Sequence, residues 1–252
     1  MKKYTKIYFD LIQSQMVIAI DFNNLIKNKE LAQVAFNQVF NPEGPRVVSK
    51  KPSQKMLFIG TTLFRPYSEI IDSTETIKTI LFYIRRFPFD DEQISRVSYF
   101  KYHIENYLNE LYILKNRLLR YLKILDKAYK KSNNYAKIEK LFKPLHSSIP
   151  EIFESYTKTR GIHVHEYRYS DDDITHLQSI ELLLKGNLNE AQELFIQQYF
   201  KNEYKNIRKK WVSKIKNDVN SIDSIIESYF KAIISAISKG NDIKYPSNVQ
   251  WV

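Results

Sequence analysis

A helical pattern of apolar residues runs without interruption through the middle of this chain, from about Asp91 to Lys131. Apolar side chains recur there at every third or fourth position, which places them on one face of an α-helix. The members of this stripe are Tyr107, Leu108, Leu111, Leu114, Leu118, Leu122 and Leu125. About forty helical residues extend roughly 60 Å, so this helix needs packing partners along its whole length. The pattern therefore predicts an all-α protein, a helical bundle with long amphipathic helices.

The rest of the chain agrees with this fold class. With 5 Gly and 8 Pro in 252 residues, the composition favours helices over an all-β fold with many tight turns. Further helices are predicted for Tyr4–Ile26, Leu31–Phe40, Ser73–Phe87 with Ser73 as N-cap, Tyr135–Thr159, a segment that starts at Ser170 as N-cap, and Asn189–Ser238. Residues 56–64 fit either a strand or a buried helix that ends at Pro66. Loops are predicted for residues 41–55 and for the tail from Asn241.

These patterns suggest three parts along the chain. Residues 1–88 form an N-terminal helical region of unknown role, residues 89–240 form the helical bundle, and residues 241–252 form a C-terminal tail. The long helix is separated from the next one by Ser132, Asn133 and Asn134. Prolines at 144 and 150 kink or split that next helix.

The net charge of the chain indicates which classes of partner it can attract. The formal net charge is +11, which attracts polyanions such as RNA, DNA or an anionic membrane surface; solubility alone is the other explanation. The chain has no cysteine, so disulfides, thiolate metal sites and a cysteine nucleophile are excluded. Its longest apolar runs are far shorter than the ~20 residues that span a bilayer. The basic N-terminus is not followed by the apolar core of a signal peptide, so we expect a cytoplasmic protein that does not enter membranes.

One short segment combines the groups needed to cleave RNA. Arg160 precedes His165 by five positions in the run Arg-Gly-Ile-His-Val-His-Glu-Tyr-Arg-Tyr, residues 160–169. A guanidinium can bind a phosphate through a forked hydrogen bond, and an imidazole can transfer protons near neutral pH. A second such pair, Arg96 and His103, lies seven positions apart, which returns to nearly the same face of a helix. We expect that pair to be an ordinary polar face of the long helix.

The segment from Arg160 to Glu166 resembles the HEPN superfamily and its Arg-x(4–6)-His signature, in which Glu often follows the His. The resemblance covers about residues 90–235. Active members commonly carry a polar residue directly after the arginine, whereas this chain has Gly161.

The resemblance implies a metal-independent endoribonuclease of the toxin or phage-defence kind, with an active site formed where two protomers meet. It implies a homodimer, an RNA substrate, and a cognate antitoxin or other protein partner. His165 would be the general acid or base and Arg160 would neutralise charge on the phosphorane. The expected substrate-binding residues are His163, Glu166, Tyr167 and Tyr169. The alternative is that Arg160 and His165 tie helix ends together in a non-catalytic helical module that binds a protein partner or RNA.

Two further groupings have simpler explanations. His163, His165 and His176, with the acids at 171–173, offer metal ligands, but the acids are better explained as a helix start, and we predict no metal and no cofactor. The basic stretch from Lys201 to Lys216, which contains Tyr204 and Trp211, is either an RNA phosphate track or a solvated helix face.

Overall fold

The computed structural model describes residues 2–19, 54–89, 94–154, 156, 171–240 and 242–246 of the chain. Almost all of these residues are helical, which confirms the predicted all-α class. The helical elements are α1 (Lys3–Ala19), α2 (Gln54–Leu57), a π-helical segment (Phe58–Phe64), α3 (Arg65–Ile84), α4 (Arg96–Tyr129), α5 (Tyr135–Ile152), α6 (Asp172–Leu184) and α7 (Glu190–Ile237). Two short strands, β1 (Ser238–Lys239) and β2 (Asp242–Ile243), pair antiparallel. Within the described ranges, no helix is both long and apolar enough to cross a lipid bilayer.

The long helix α4 has the amphipathic pattern that its sequence predicts. It spans 34 residues, and all seven members of the stripe from Tyr107 to Leu125 are at most 4% exposed. The helix begins after the predicted Asp91, because the hydroxyl of Ser95 accepts the N–H of Ser98 at 3.0 Å and caps the first turn. It ends at Tyr129, whose carbonyl accepts the N–H of Ser132 at 2.8 Å. The predicted break at Ser132 is therefore confirmed.

The chain divides into two compact units. Unit 1 comprises Met1–Ser68, Tyr121–Leu145 and Ile226–Val252. Its core is rich in tyrosine, and the fully buried rings include Tyr8, Tyr121, Tyr129 and Tyr229. The hydroxyls of Tyr8 and Tyr121 are hydrogen-bonded to each other, and the Tyr121 hydroxyl also donates to the carbonyl of Leu63 at 3.2 Å. Because of this burial, the pKa of each of these two phenols is raised well above its ordinary value.

Unit 2 comprises Glu69–Arg120 and His146–Ile225. Its buried residues come from α3, α4, α5, α6 and α7 and include Ile77, Val97, Phe100, Ile104, Ile149, Ile174, Leu177, Ile207 and Trp211. A polar contact crosses this core, where the buried Tyr107 donates its hydroxyl to the carboxylate of Asp218 at 2.5 Å.

The helix end predicted at Pro66 is wrong, since the chain stays helical from Gln54 to Ile84. Gln54 and Lys55 are therefore helical rather than part of a loop. The backbone N–H of Arg65 donates to the carbonyl of Gly60, five positions earlier, and this wider π-helical turn lies directly ahead of the proline. Proline lacks an N–H and crowds the carbonyl four positions before it. A wider turn at that point accommodates both effects.

Ser73 is not an N-cap, because α3 already begins at Arg65. The side chain of Ser73 is fully buried, and its hydroxyl oxygen accepts Nη1 of Arg117 at 2.5 Å. The same hydroxyl donates to Oε2 of Glu110 at 3.3 Å. A residue that resembles a helix start in the sequence is thus a buried link between α3 and α4.

The C-terminal half differs from the prediction in two places and decides between two alternatives in a third. Of the kink and the split that were left open for Pro144 and Pro150, the split is excluded, because α5 runs through both prolines. The N-cap of α6 is Asp171 rather than Ser170, since the Asp171 carboxylate accepts the N–H of Ile174 at 2.7 Å. The predicted tail loop contains β2, which pairs with β1 through a turn at Gly240, where φ is +62°. Glycine adopts this left-handed conformation without steric cost.

The remaining N-terminal predictions fall outside the described residues. These are the helix Leu31–Phe40, residues 41–53 of the predicted loop, and the end of the first helix beyond Ala19. The described part of that first helix, α1, agrees with its prediction.

Candidate nucleic-acid interface

All six residues predicted for the site lie in the segment 157–170, which is outside the described residues. They are Arg160, His163, His165, Glu166, Tyr167 and Tyr169. The arrangement of Arg160 and His165 therefore stays a prediction.

The residues that flank this segment belong to unit 2. On one side, Tyr156 shares the carboxylate of Asp218 with Tyr107, and burial together with that carboxylate raises the pKa of Tyr156. On the other side, Asp171 caps α6. The described residues on both sides of the segment thus belong to the same unit.

The second Arg–His pair does not form the polar helix face that was expected. His103 is only 8% exposed, and its ring lies among three tyrosines. The ring centroids of Tyr99, Tyr83 and Tyr102 are 4.4, 5.3 and 5.3 Å from that of His103. Burial lowers the pKa of the imidazole below its ordinary value, so His103 is neutral at pH 7. Among the described residues, its Nδ1 atom has no hydrogen-bond partner.

Several aromatic residues at or near His103 are exposed to solvent, whereas Tyr99 and Phe87 are half-buried. Tyr102 is 58% exposed, Phe82 49% and Tyr83 44%. The ring of Tyr99 connects the tyrosines to Phe87 and Phe89, with centroid distances of 5.4 and 5.7 Å. Exposed aromatic groups in contact with one another are uncommon on a protein surface unless they bind something.

Two arginines lie over these rings. The guanidinium carbon of Arg86 is 4.6 Å from the ring centroid of Phe82, and that of Arg96 is 5.2 Å from the ring centroid of Phe87. Such contacts are cation–π interactions, and they hold Arg86 beside the exposed ring of Phe82 and Arg96 beside the half-buried ring of Phe87. We call this set of residues the aromatic–arginine surface: Phe82, Tyr83, Arg86, Phe87, Phe89, Arg96, Tyr99, Tyr102 and His103.

The local positive charge comes from the end of α3 and the start of α4. Arg85 and Lys101 lie in the same stretches as Arg86 and Arg96. The chain also carries Asp90, Asp91 and Glu92 between those stretches, in a segment outside the described residues. The surface can stack flat rings and pair with phosphates, while the neutral His103 can neither hold a phosphate by charge nor serve as a metal-free acid at pH 7.

The basic stretch of α7 has a different organisation. Lys201, Lys205 and Lys209 are exposed, whereas Tyr204 and Trp211 are each 6% exposed and belong to the core. The aromatic rings that interrupt this stretch are thus unavailable for stacking. Its exposed lysines and the half-buried Arg208 are the groups that can meet a polyanion.

His176, the described histidine among the metal-ligand candidates, has other contacts. Its Nε2 lies 3.3 Å from the hydroxyl of Tyr199 and 3.6 Å from Oε2 of Glu203. Across the residues that the structure describes, no group of three or more His, Asp or Glu side chains is arranged to hold a metal ion.

No protein-family model, curated protein or solved structure matches this chain.

The sequence-based prediction does not include the aromatic–arginine surface. In the sequence, this surface is indicated by the density of aromatic residues and arginines between positions 82 and 103. Aromatic residues at helical spacing are more often part of a core, and Phe100, which is fully buried in this stretch, is one of them. Only the exposure of its neighbours distinguishes the two roles.

Proposed function

We propose that this protein binds single-stranded RNA through the aromatic–arginine surface. The observation that carries the proposal is the exposure of Tyr102, Phe82 and Tyr83 around a buried, neutral histidine. Unpaired bases stack on exposed aromatic rings and on arginine planes, and this is the usual way in which proteins bind single-stranded RNA.

Charge favours RNA over a protein partner as the ligand. The chain has a formal net charge of +11, which raises the local concentration of any polyanion. Arg86 and Arg96 are positioned beside rings, so one guanidinium can bind the phosphate of a nucleotide whose base stacks on the neighbouring ring. A protein partner would require neither the net charge nor this alternation of rings and cations.

Fluorescence anisotropy with labelled RNA about ten nucleotides long tests the proposal. The RNA carries 2′-O-methyl groups, so it cannot be cleaved by attack of its own 2′-hydroxyl. Tyr102→Ala and Phe82→Ala should each weaken binding on the order of tenfold, which is the contribution of one stacked base. Phe195→Ala is the matched control, because this α7 ring is 72% exposed but lies outside the surface.

Two results would contradict the proposal. One is the absence of RNA binding by the wild-type protein at low salt. The other is unchanged affinity in both aromatic variants together with full competition by heparin, which would leave only unspecific attraction of a polyanion. Binding of a protein ligand lost in the same variants would point to the partner-binding alternative.

A second function, RNA cleavage, is favoured by the spacing of Arg160 and His165 and by their resemblance to the HEPN signature. In this proposal the 2′-hydroxyl attacks the adjacent phosphate and the P–O5′ bond breaks, which gives a 2′,3′-cyclic phosphate and a free 5′-hydroxyl. His165 accepts the proton of the 2′-hydroxyl or donates one to the leaving 5′-oxygen, and Arg160 stabilises the charge that develops on the phosphorane. A homodimer would bring two such segments together, in a toxin or phage-defence protein with a cognate antitoxin. RNA held on the aromatic–arginine surface would be the substrate.

Cleavage is tested with unmodified RNA in EDTA. We expect activity that is lost in Arg160→Ala and in His165→Ala and kept in two matched controls, Arg120→Ala and His146→Ala. If all five proteins cleave equally, or none does, the catalytic role is excluded. RNA binding measured on the same proteins distinguishes a non-catalytic RNA-binding module from an enzyme.

A further inference from the structure

We infer that the imidazole of His103 forms a hydrogen bond with the edge of an unpaired RNA base that stacks on the aromatic–arginine surface. The surface would then select among bases rather than bind every RNA equally. This inference rests on the proposed function and names the group that the surface accepts, a flat nitrogen heterocycle with a hydrogen-bonding edge.

The first support is the unsatisfied nitrogen. Nδ1 of His103 is buried and has no partner among the described residues. Buried polar atoms in folded proteins are almost always hydrogen-bonded, because an unpaired one keeps the cost of leaving water without compensation. A ligand atom that pairs with Nδ1 would remove this cost, and the gain would appear as binding affinity.

The second support is the chemistry of the group. Since burial lowers the pKa of His103, the ring is neutral, and a neutral imidazole has one N–H donor and one nitrogen acceptor. Each RNA base likewise presents donors and acceptors side by side on its edge. A neutral imidazole therefore matches a base edge better than it matches a phosphate, which accepts hydrogen bonds only.

The third support is access. The ring nearest to His103, that of Tyr99, is half-buried, but the next two, those of Tyr102 and Tyr83, are 58% and 44% exposed. A core histidine is covered by side chains that are themselves buried. Here a base can reach the imidazole by displacing one surface ring and can stack on that ring and on its neighbours. Stacking and the hydrogen bond are thus available at the same place.

The experiment compares base preference in the wild-type protein and in His103→Phe. Phenylalanine keeps a flat aromatic ring of similar size but lacks both nitrogens. Affinities are measured for four 2′-O-methyl homopolymers of A, C, G and U. The wild-type protein should prefer one or two bases on the order of fivefold, the factor that one net hydrogen bond provides. His103→Phe should bind all four with similar affinity.

The outcomes separate this inference from the proposed function. If Tyr102→Ala weakens RNA binding but His103→Phe keeps the wild-type base preference, the role of His103 is overturned and RNA binding stands. A wild-type protein that binds RNA without base preference would likewise overturn the role of His103 and leave RNA binding standing. If the wild-type protein does not bind RNA at all, both proposals fail.

A second measurement needs no variant. The chain has 5 histidines, so the side-chain nitrogens can be assigned by NMR in ¹⁵N-labelled protein. Addition of the preferred homopolymer should shift the Nδ1 signal of His103 towards a hydrogen-bonded position, while that of His146 stays unchanged. An unchanged Nδ1 signal in RNA-saturated protein would overturn the inference.

Discussion

Thr5 and Glu227 lie 222 positions apart, yet both donors of Thr5 reach the same carboxylate oxygen. The backbone N–H donates at 3.0 Å and the hydroxyl at 2.5 Å, while the N–H of Tyr4 donates to the other oxygen at 2.7 Å. The first N–H groups of a helix have no acceptor within the helix, so Glu227 supplies from α7 the cap that α1 lacks in its own sequence. Its negative charge also lies at the positive end of the α1 dipole.

Replacing this carboxylate should destabilise the protein. We expect Glu227→Gln to lower the free energy of unfolding by about 1–2 kcal/mol, since the charge is lost and one acceptor becomes a donor. Urea unfolding followed by circular dichroism measures the change. Glu151→Gln, at an exposed position of α5, is the control and should leave the stability nearly unchanged. Equal stability of both variants would show that the cap is dispensable.

The same carboxylate should make stability depend on acid. Burial on its own would raise the pKa of Glu227, but the hydrogen bonds from Thr5 and Tyr4 outweigh it and hold the pKa below the ordinary value of 4.5. A carboxyl group of this kind contributes stability that is present above pH 4.5 and is lost as the pH falls through the folded-state pKa. The stability difference between wild type and Glu227→Gln should therefore shrink in acid, and a difference that stays constant from roughly pH 7 to pH 3 would contradict this account.

His103 should affect the stability of the protein at higher pH than Glu227 does. Because burial lowers its pKa, the unfolded chain takes up a proton more readily than the folded one, and stability falls as the pH drops below about 6.5. His103→Phe removes this dependence and the unpaired nitrogen together. We expect it to match or exceed wild-type stability at pH 7, by up to about 1 kcal/mol, with an advantage that grows towards about pH 5.

Thermal unfolding at several pH values checks this expectation. His146→Phe, on α5, is the control, because His146 lies outside the aromatic–arginine surface. If His103→Phe is strongly destabilised at every pH, the imidazole makes contacts that phenylalanine cannot replace.

The buried hydroxyl of Ser73 should contribute to the stability of unit 2. Ser73→Ala removes the acceptor for Arg117 and the donor to Glu110, so we expect a loss of about 1–3 kcal/mol in the free energy of unfolding. Ser179→Ala is the matched control, since that exposed hydroxyl bonds only a carbonyl of its own helix. Similar values for the two variants in urea unfolding would mean that the charged groups find other partners.

Salt should reveal which cations bind phosphates. For a single strand, each neutralised phosphate contributes about 0.7 to the slope of log affinity against log salt. Arg86→Ala and Arg96→Ala should each reduce that slope by about this amount. Arg120→Ala, whose side chain is 68% exposed, should leave it unchanged. Equal slopes in all three variants would place the phosphate contacts elsewhere.

Local patterns predicted most of the described helices. The buried stripe of α4 and the break at Ser132 follow from residues within a few turns of each other, and the stripe alone determines which face is apolar. The helix ends were less accurate, because Ser170 and Asp171 are both good N-caps and only the backbone geometry selects Asp171. The helix end predicted at Pro66 was wrong because the residues before it form a π-helical segment, whose wider turn accommodates the proline.

The contacts that matter for the candidate interface could not be predicted in this way. Tyr83 is 20 positions from His103, and whether their rings meet depends on how α3 and α4 pack. The same is true of Arg117 on α4, which donates to the buried Ser73 on α3. Periodicity identifies the buried face of a helix, yet it does not identify which exposed aromatic residues gather in one place.

The tyrosine-rich core of unit 1 provides a built-in spectroscopic signal. A phenolate absorbs ultraviolet light at longer wavelength than a phenol does, and burial raises the pKa of Tyr8, Tyr121, Tyr129 and Tyr229. In an alkaline titration the solvent-exposed phenols ionise first, and the buried ones ionise only when this core opens. A late rise in phenolate absorbance would therefore report, without any added dye, the opening of this core together with that of the buried Tyr107 and Tyr204 in unit 2.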